Sequence, residues 1–267
     1  MVNIVVPIKQ VPDIESVRFD SEKGRIDRSS AAAEINPFDL NALEAALVTK
    51  DECGGTITVI SMGPPSAETT LRDALSRGAD RAILLTGAEF AGADTLATSY
   101  TLACAIKKSG LFDLIICGEK TVDGDTGQVG PEIAEHLDIP HIAYVSNIEI
   151  FENKIIATSE MDGLVQLESG FPLLITVTKD INKPRLPSLG AKLRARKAVI
   201  EIWNADNLLP SEQKDKLGLK GSPTKVHRIV IPGDEGRKGI VIRNAPDKAV
   251  TAILQVLEEQ KLWERRE

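Results

Sequence analysis

Apolar positions follow two different periods along the chain. Up to about residue 140, short continuous apolar runs alternate with stretches of helical spacing. "NIVVPIK" (3–9), "TITVISM" (56–62), "RAILLT" (81–86) and "DLIICG" (113–118) are rich in β-branched residues and end at turn residues, the pattern of strands buried on both faces. Between the first two, "NPFDLNALEAALVTK" offers Asn36 as an N-cap, Pro37 at the first helical position and Asp39 in the first turn, with Leu40, Leu43 and Leu47 on one face. Ser66 is expected to cap a second helix that Gly78 ends, and residues 94–110 read as a third, with cations in its last turn. Four alternations of strand and helix predict an α/β fold, a parallel sheet with helices on both faces. From residue 142 the period drops to two, in "IAYVSNIEI", "KIIATSEM", "GLVQLES" and "LLITVTK", with turns at Glu152-Asn153 and Asp162-Gly163. These are expected to be antiparallel strands appended to the parallel sheet. A small hairpin is expected between Ser16 and Asp27.

Open α/β sheets bind ligands beyond the carboxyl ends of their parallel strands. Three loops should meet there: Pro7, Ile8 and Lys9 after the first strand, Met62 and Gly63 after the second, and "GEKTVDGDTGQVGP" (118–131) after the fourth. The last loop is neither a G-x-G-x-x-G turn nor a phosphate loop, since Lys120 does not follow a glycine. Gly124, Gly127 and Gly130 would let backbone N–H groups approach a phosphate, and a helix from about Gly127 to Leu137 would aim its positive end at it. Thr126 and Gln128 add side-chain donors. Asp123 and Asp125 would repel a phosphate, so they are expected to hold the turn or bind a ribose hydroxyl. A plain strand-to-helix connection through an Asp-Gly turn is the simpler alternative.

Composition narrows the chemistry. The 267 residues suffice for one large domain with an appendage or for two small ones. A net charge of −7 with 4% aromatics argues against nucleic-acid binding. Cys53, Cys104 and Cys117 are isolated and read as reduced thiols, and His136, His141 and His227 show no metal spacing. No G-x-S-x-G elbow is present. A strand directly after Met1 leaves no room for a signal peptide, and no apolar run reaches the ~20 residues a bilayer needs. A cytoplasmic protein without membrane insertion is expected.

Two later segments stand out. Residues 182–198, "NKPRLPSLGAKLRARKA", carry Lys183, Arg185, Lys192, Arg194, Arg196 and Lys197 and no acid. Pro184, Pro187 and Gly190 stiffen the stretch, and Leu189 is an apolar tip among cations. This reads either as a solvated loop or as a docking loop for an acidic partner. The chain then turns polar and ends in "DKAVTAILQVLEEQKLW" (247–263), with Val250, Ile253, Leu254 and Leu257 in one stripe. That helix packs on its own domain or reaches another chain.

In order along the chain, "VVPIKQVPD", "EINPFDLNALEAAL", "CGEKTVDGDTGQVGP" and "NKPRLPSLGAKLRARKA" resemble the small (β) subunit of electron-transfer flavoproteins. The resemblance implies a Rossmann-like nucleotide-binding domain over 1–204, with 182–198 as a recognition loop. Residues 205–267 would be a linker and arm whose terminal helix packs on the larger α subunit. "DGDTGQVGP" is similar to the electron-bifurcating class, which binds FAD in this subunit; the ordinary class binds AMP there as a structural ligand. Small residues at Gly124 and Gly127 would leave room for the second phosphate and the flavin. The implied contacts are Pro7, Ile8, Lys9, Asn36, Asp39, Met62, Gly63, Gly118, Lys120, Asp123, Gly124, Asp125, Thr126, Gly127, Gln128, Val129, Gly130 and Pro131. Leu189, Arg194, Arg196 and Lys197 would dock a partner. The implied reaction is hydride transfer from NADH to this FAD. One electron would then pass to the α-subunit FAD and an acyl-CoA, 2-hydroxy-acid or quinone-linked dehydrogenase, the other to ferredoxin or flavodoxin. No side chain is needed as acid or base, and no metal ligand is assigned. The alternatives are an AMP-binding subunit that only scaffolds the α-subunit flavin and, more distantly, a nucleotide-sensing module resembling a universal stress protein.

Overall fold

The computed structural model describes residues 1–12, 33–152, 154–225, 241–243 and 245–262, together with the backbone of 18–20 and 25–27. β1 (Val2–Pro7) is central to the main sheet, and after Ile8 and Lys9 the three residues of β2 (Gln10–Pro12) pair antiparallel with β5 (Ala33–Ile35). β3 (Arg18–Asp20) and β4 (Arg25–Asp27) form the expected hairpin. Then follow α1 (Pro37–Cys53), β6 (Gly55–Met62), α2 (Glu68–Arg77), β7 (Arg81–Leu85), α3 (Thr95–Ser109), β8 (Leu114–Gly118) and α4 (Val129–Leu137). The second half holds β9 (His141–Phe151), β10 (Lys154–Ser159), β11 (Val165–Gly170), β12 (Leu173–Val177), α5 (Leu189–Ala195) and β13 (Glu201–Trp203). The short helices α6 (Ala205–Leu208) and α7 (Gly218–Gly221) and the terminal α8 (Pro246–Glu259) complete the described chain.

Nine strands form the large sheet in the order β11-β10-β9-β12-β8-β1-β6-β7-β13. From β9 to β13 all neighbours run parallel; only β10 and β11 are antiparallel. This corrects one expectation. β12, "LLITV", is not part of the antiparallel group but lies between β8 and β9, parallel to both, with all five residues buried. The two sheet faces explain the continuous apolar runs. Ile4 and Val6 pack with Leu43, Leu47 and Leu71 under α1 and α2. Val5 points the other way, to Leu102, Ile106 and Ile133 under α3 and α4.

Two helix starts differ from expectation. Ser66 lies in a 3₁₀ turn (Pro65–Ala67) ahead of α2 and caps nothing, because its hydroxyl donates to Gln10 Oε1 at 3.1 Å. Asn36 precedes α1 as expected, but its side chain does not cap the helix. Asp94, in contrast, caps α3 by accepting from the N–H of Ala97.

The chain divides into two compact units, residues 1–225 and 226–267. In the first, Ala205, Leu208, Leu209 and Leu217 are buried with Trp203 in the core under α3. In the second, α8 has no buried residue, and Val250 and Ile253 are each more than half exposed. Trp263 lies outside the described residues, as does Asn153 at the β9–β10 turn. Among the described residues no helix is long and apolar enough to cross a membrane.

Candidate functional site

The strand order creates a site at one place. β1 leads to β6 and β7 on one side, whereas β8 lies on its other side, so the loops following β1 and β8 diverge from a topological switch point. Side chains join the two loops. Lys9 Nζ reaches both carboxylate oxygens of Asp123, at 2.8 and 2.7 Å. Asn36, fully buried, donates through Nδ2 to the Lys120 carbonyl (2.9 Å) and accepts from the Val122 N–H (3.1 Å). Its amide thus braces the loop after β8 while its side chain also hydrogen-bonds Asp39, and neither bond caps α1. Gln10 ties the same rim to the chain after β6, donating to the Ser66 carbonyl and to Thr70 Oγ1; Met62 ends β6 and Gly63 follows it.

Within the loop, Lys120 pairs with Asp125 at 2.9 Å and Gly124 N–H donates to Thr121 Oγ1. Both ion pairs are substantially exposed and screened by solvent, so their effect is to orient the loop. The two aspartates hold the turn. Asp123 is pushed up by partial burial, but the Lys9 ammonium outweighs this and leaves its carboxyl below the usual range. Asp125 (φ 52°) and Gly127 (φ 64°) turn the chain through left-handed conformations, which glycine adopts without steric cost. Val122 to Thr126 and Gln128 are exposed at the rim, and Gly130 is buried in the first turn of α4. The helix starts at Val129, two residues later than expected. The N–H groups of Val129 and Gly130 find no acceptor inside it, as at any helix start.

Beneath the loop is a buried carboxylate. Asp39 accepts from the Lys9 N–H at 2.8 Å and lies against Gly118, where a side-chain carbon would stand 2.5 Å from Asp39 Oδ1 and 2.7 Å from Phe38. Only glycine fits at 118. Burial pushes the Asp39 carboxyl up to about 7, against hydrogen bonds from Lys9, Asn36 and Gly118 that favour its charged form. Burial, with Asp39 nearby, also drives the Cys117 thiol far upward, leaving it an inert core residue. The raised Asp39 value has a consequence for stability. The folded protein binds this proton more tightly than the unfolded chain does. The contribution is therefore complete below about pH 4 and is lost as the pH rises through about 7, on the order of a few kcal/mol. Asp39→Asn, which cannot ionise, is expected to flatten this slope. Melting temperatures of both proteins from pH 4 to 8 check it: the wild-type value should fall relative to the variant across that range.

The residues expected to dock a partner lie elsewhere. Leu189 is the first residue of α5 and 75% exposed; Arg194, Arg196 and Lys197 are exposed near its end. What sequence reasoning missed is how this segment is seated. Arg72 Nη1 donates to the carbonyls of Ala195, Arg196 and Ala198, and Arg77 Nη1 to that of Arg185. Arg185 pairs with Glu44, and Asn41 and Asn182 exchange amide bonds. The available signal was Asn41 and Glu44 falling on buried positions of α1.

A family model described as "Electron transfer flavoprotein domain" matches residues 23–208. The "Electron transfer flavoprotein subunit beta" of Clostridium acetobutylicum is 44% identical over 258 residues, covering 96% of this chain and 98% of its own. The chain belongs to the electron transfer flavoprotein beta-subunit family. It is also similar to "Protein FixA" of Azorhizobium caulinodans, 43% identical over 261 residues (94% of this chain, 92% of the relative). The "Caffeyl-CoA reductase-Etf complex subunit CarD" of Acetobacterium woodii is 41% identical over 261 residues (97% and 99%). Electron transfer flavoprotein beta subunits pair with an alpha subunit, and the family binds flavin or AMP. The residues at the switch point fit such a group. The buried hydroxyls of Ser61 and Thr178, at the carboxyl ends of β6 and β12, have no hydrogen-bond partner among the described residues.

Proposed function

We propose that this beta subunit binds FAD at the switch point, and that the FAD takes hydride from NADH in an electron-bifurcating complex. The observation that carries this reading is the turn from Gly124 to Gly127, with Gly124 exposed and Gly127 half-buried, held at the rim by the Lys9–Asp123 and Lys120–Asp125 pairs. A nucleotide longer than AMP has its second phosphate and flavin to place, and glycines there obstruct neither. CarD, by its name a subunit of a reductase–Etf complex, supports the same class of assembly.

Each group at the rim has a part in holding the ligand. N–H groups from Thr126 to Val129 would receive the diphosphate, helped by the positive end of α4. Lys9 and Lys120 supply cationic charge that Asp123 and Asp125 balance and aim. Asn36 and Asp39 fix the spacing of the two loops from below. Bound FAD supplies the hydride-accepting and electron-dividing chemistry, and the protein's part is position and electrostatics. Electrons would leave to ferredoxin or flavodoxin and, through the FAD of the alpha subunit, to a flavin dehydrogenase. The heterodimer should therefore oxidise NADH with ferredoxin or flavodoxin present, with bleaching of flavin absorbance. A heterodimer whose absorbance NADH leaves unchanged contradicts the reading.

Leu189, with Arg194, Arg196 and Lys197 around it, would be the anchor for the dehydrogenase. The network from Arg72, Arg77 and Glu44 pre-organises it, lowering the ordering cost of binding. Leu189→Ala is expected to slow electron transfer to the dehydrogenase about tenfold, as loss of an interface anchor does. NADH oxidation with an artificial acceptor should be unchanged. Equal loss of both activities would show the segment to be structural.

A further inference from the structure

Tyr144 stands at the same rim, beside Gly127. Its backbone is in the left-handed region (φ 54°), an outlier for a bulky residue that surrounding structure must enforce. The cause is a bulge in β9. Against β12, the register passes from Ile142↔Ile175 to Val145↔Val177; against β10, from Asn147↔Thr158 to Val145↔Ser159. The bulge is pinned on both sides: the Tyr144 N–H donates to Thr176 Oγ1 (3.1 Å), and its carbonyl accepts from the Glu160 N–H (2.9 Å).

The bulge decides where the ring goes. In a regular strand Tyr144 would share the face of Ile142 and enter the core. The extra residue gives that place to Val145, which is fully buried, and turns Tyr144 outward. The ring is 39% exposed, and its hydroxyl oxygen lies 3.8 Å from where a side-chain carbon at Gly127 would stand.

Sheet order gives the ring a direction. The order β6-β1-β8-β12-β9 places the loops after β6 and β1 on one side of the glycine loop and Tyr144 on the other. A dinucleotide whose adenosine lies toward β1 and whose diphosphate crosses Gly124 to Gly127 carries its remaining half toward β9. We infer that Tyr144 is a specificity-determining residue, packing its ring against the part of FAD that AMP lacks. This rests on the nucleotide-site reading above. A ring offers an extended apolar face to a planar ligand and nothing to a ligand that ends before reaching it.

The test uses the heterodimer with its alpha-subunit flavin left in place, titrated calorimetrically with FAD and, separately, AMP. Tyr144→Ala and Tyr144→Gly should weaken FAD about tenfold or more, as loss of an aromatic stacking surface does, and leave AMP within about twofold. Tyr144→Phe should keep most of the FAD affinity. Tyr144→Gly should melt no lower than Tyr144→Ala, because glycine relieves the left-handed backbone while both lose the ring. A merely structural tyrosine would instead weaken both nucleotides alike as stability falls. That result, or unchanged FAD affinity in Tyr144→Ala, overturns the inference. Wild-type protein that takes up neither nucleotide would overturn the site reading itself.

Discussion

Gly124→Asp is expected to lose FAD while still assembling with the alpha subunit. Gly124 is exposed, and the nearest atom to a side chain built there is Thr121 Oγ1 at 3.2 Å, so the substitution is accommodated with a small shift of a flexible hydroxyl. What changes is charge. Asp123 and Asp125 already flank the position, each paired with a lysine, and the described loop offers no third cation for a third carboxylate. Two unit charges about 4 Å apart repel by ~1 kcal/mol in water and ~4 kcal/mol at the effective dielectric of a protein surface. FAD affinity should therefore fall between about fivefold and about a thousandfold. Flavin content of the purified variant, compared with its melting temperature, checks this. A variant that retains full flavin would place the diphosphate away from this turn.

Truncation after Asn244 should leave a folded beta domain with no partner. The unit through Lys225 contains the sheet and both cores, whereas α8 buries none of its residues. Val250, Ile253, Leu254 and Leu257 lie along one side of that helix, and covering such side chains is worth roughly 1.5–3 kcal/mol each. Even after the cost of ordering the segment, removal should weaken assembly by at least about a thousandfold. Size-exclusion chromatography of the co-expressed subunits reads the loss, and thermal unfolding reads the domain. Disappearance of the domain's own cooperative transition would assign α8 to its fold and not to the partner.

The fold was legible wherever local pattern and final environment agree. β1, β6, β7 and β8 read as continuous apolar runs because successive residues feed opposite cores. β12 has the same signature, yet its neighbours in sequence are half-buried strands of period two, and local spacing does not encode its insertion between β8 and β9. Asn36 and Ser66 have the chemistry of helix caps. Each instead satisfies a distant group: Asn36 binds a loop 84 residues away, and Ser66 binds Gln10. At the site, glycine spacing marked the loop, and the strand alternation marked its place. The Lys9–Asp123 pair was invisible, because it depends on β1 and β8 being neighbours. Tyr144 was hidden for a similar reason, since a bulge appears only when both partner strands are in register. The seat of residues 182–198 required knowing that α5 lies against α2.

The central claim is that this subunit holds FAD. Its most direct measurement is the nucleotide content of the purified heterodimer. The complex should be isolated gently in excess FAD, freed of unbound ligand and denatured, and the released nucleotides separated and quantified. The account predicts FAD from both subunits and no stoichiometric AMP. FAD from the alpha subunit alone, with AMP matching the beta subunit mole for mole, would contradict it.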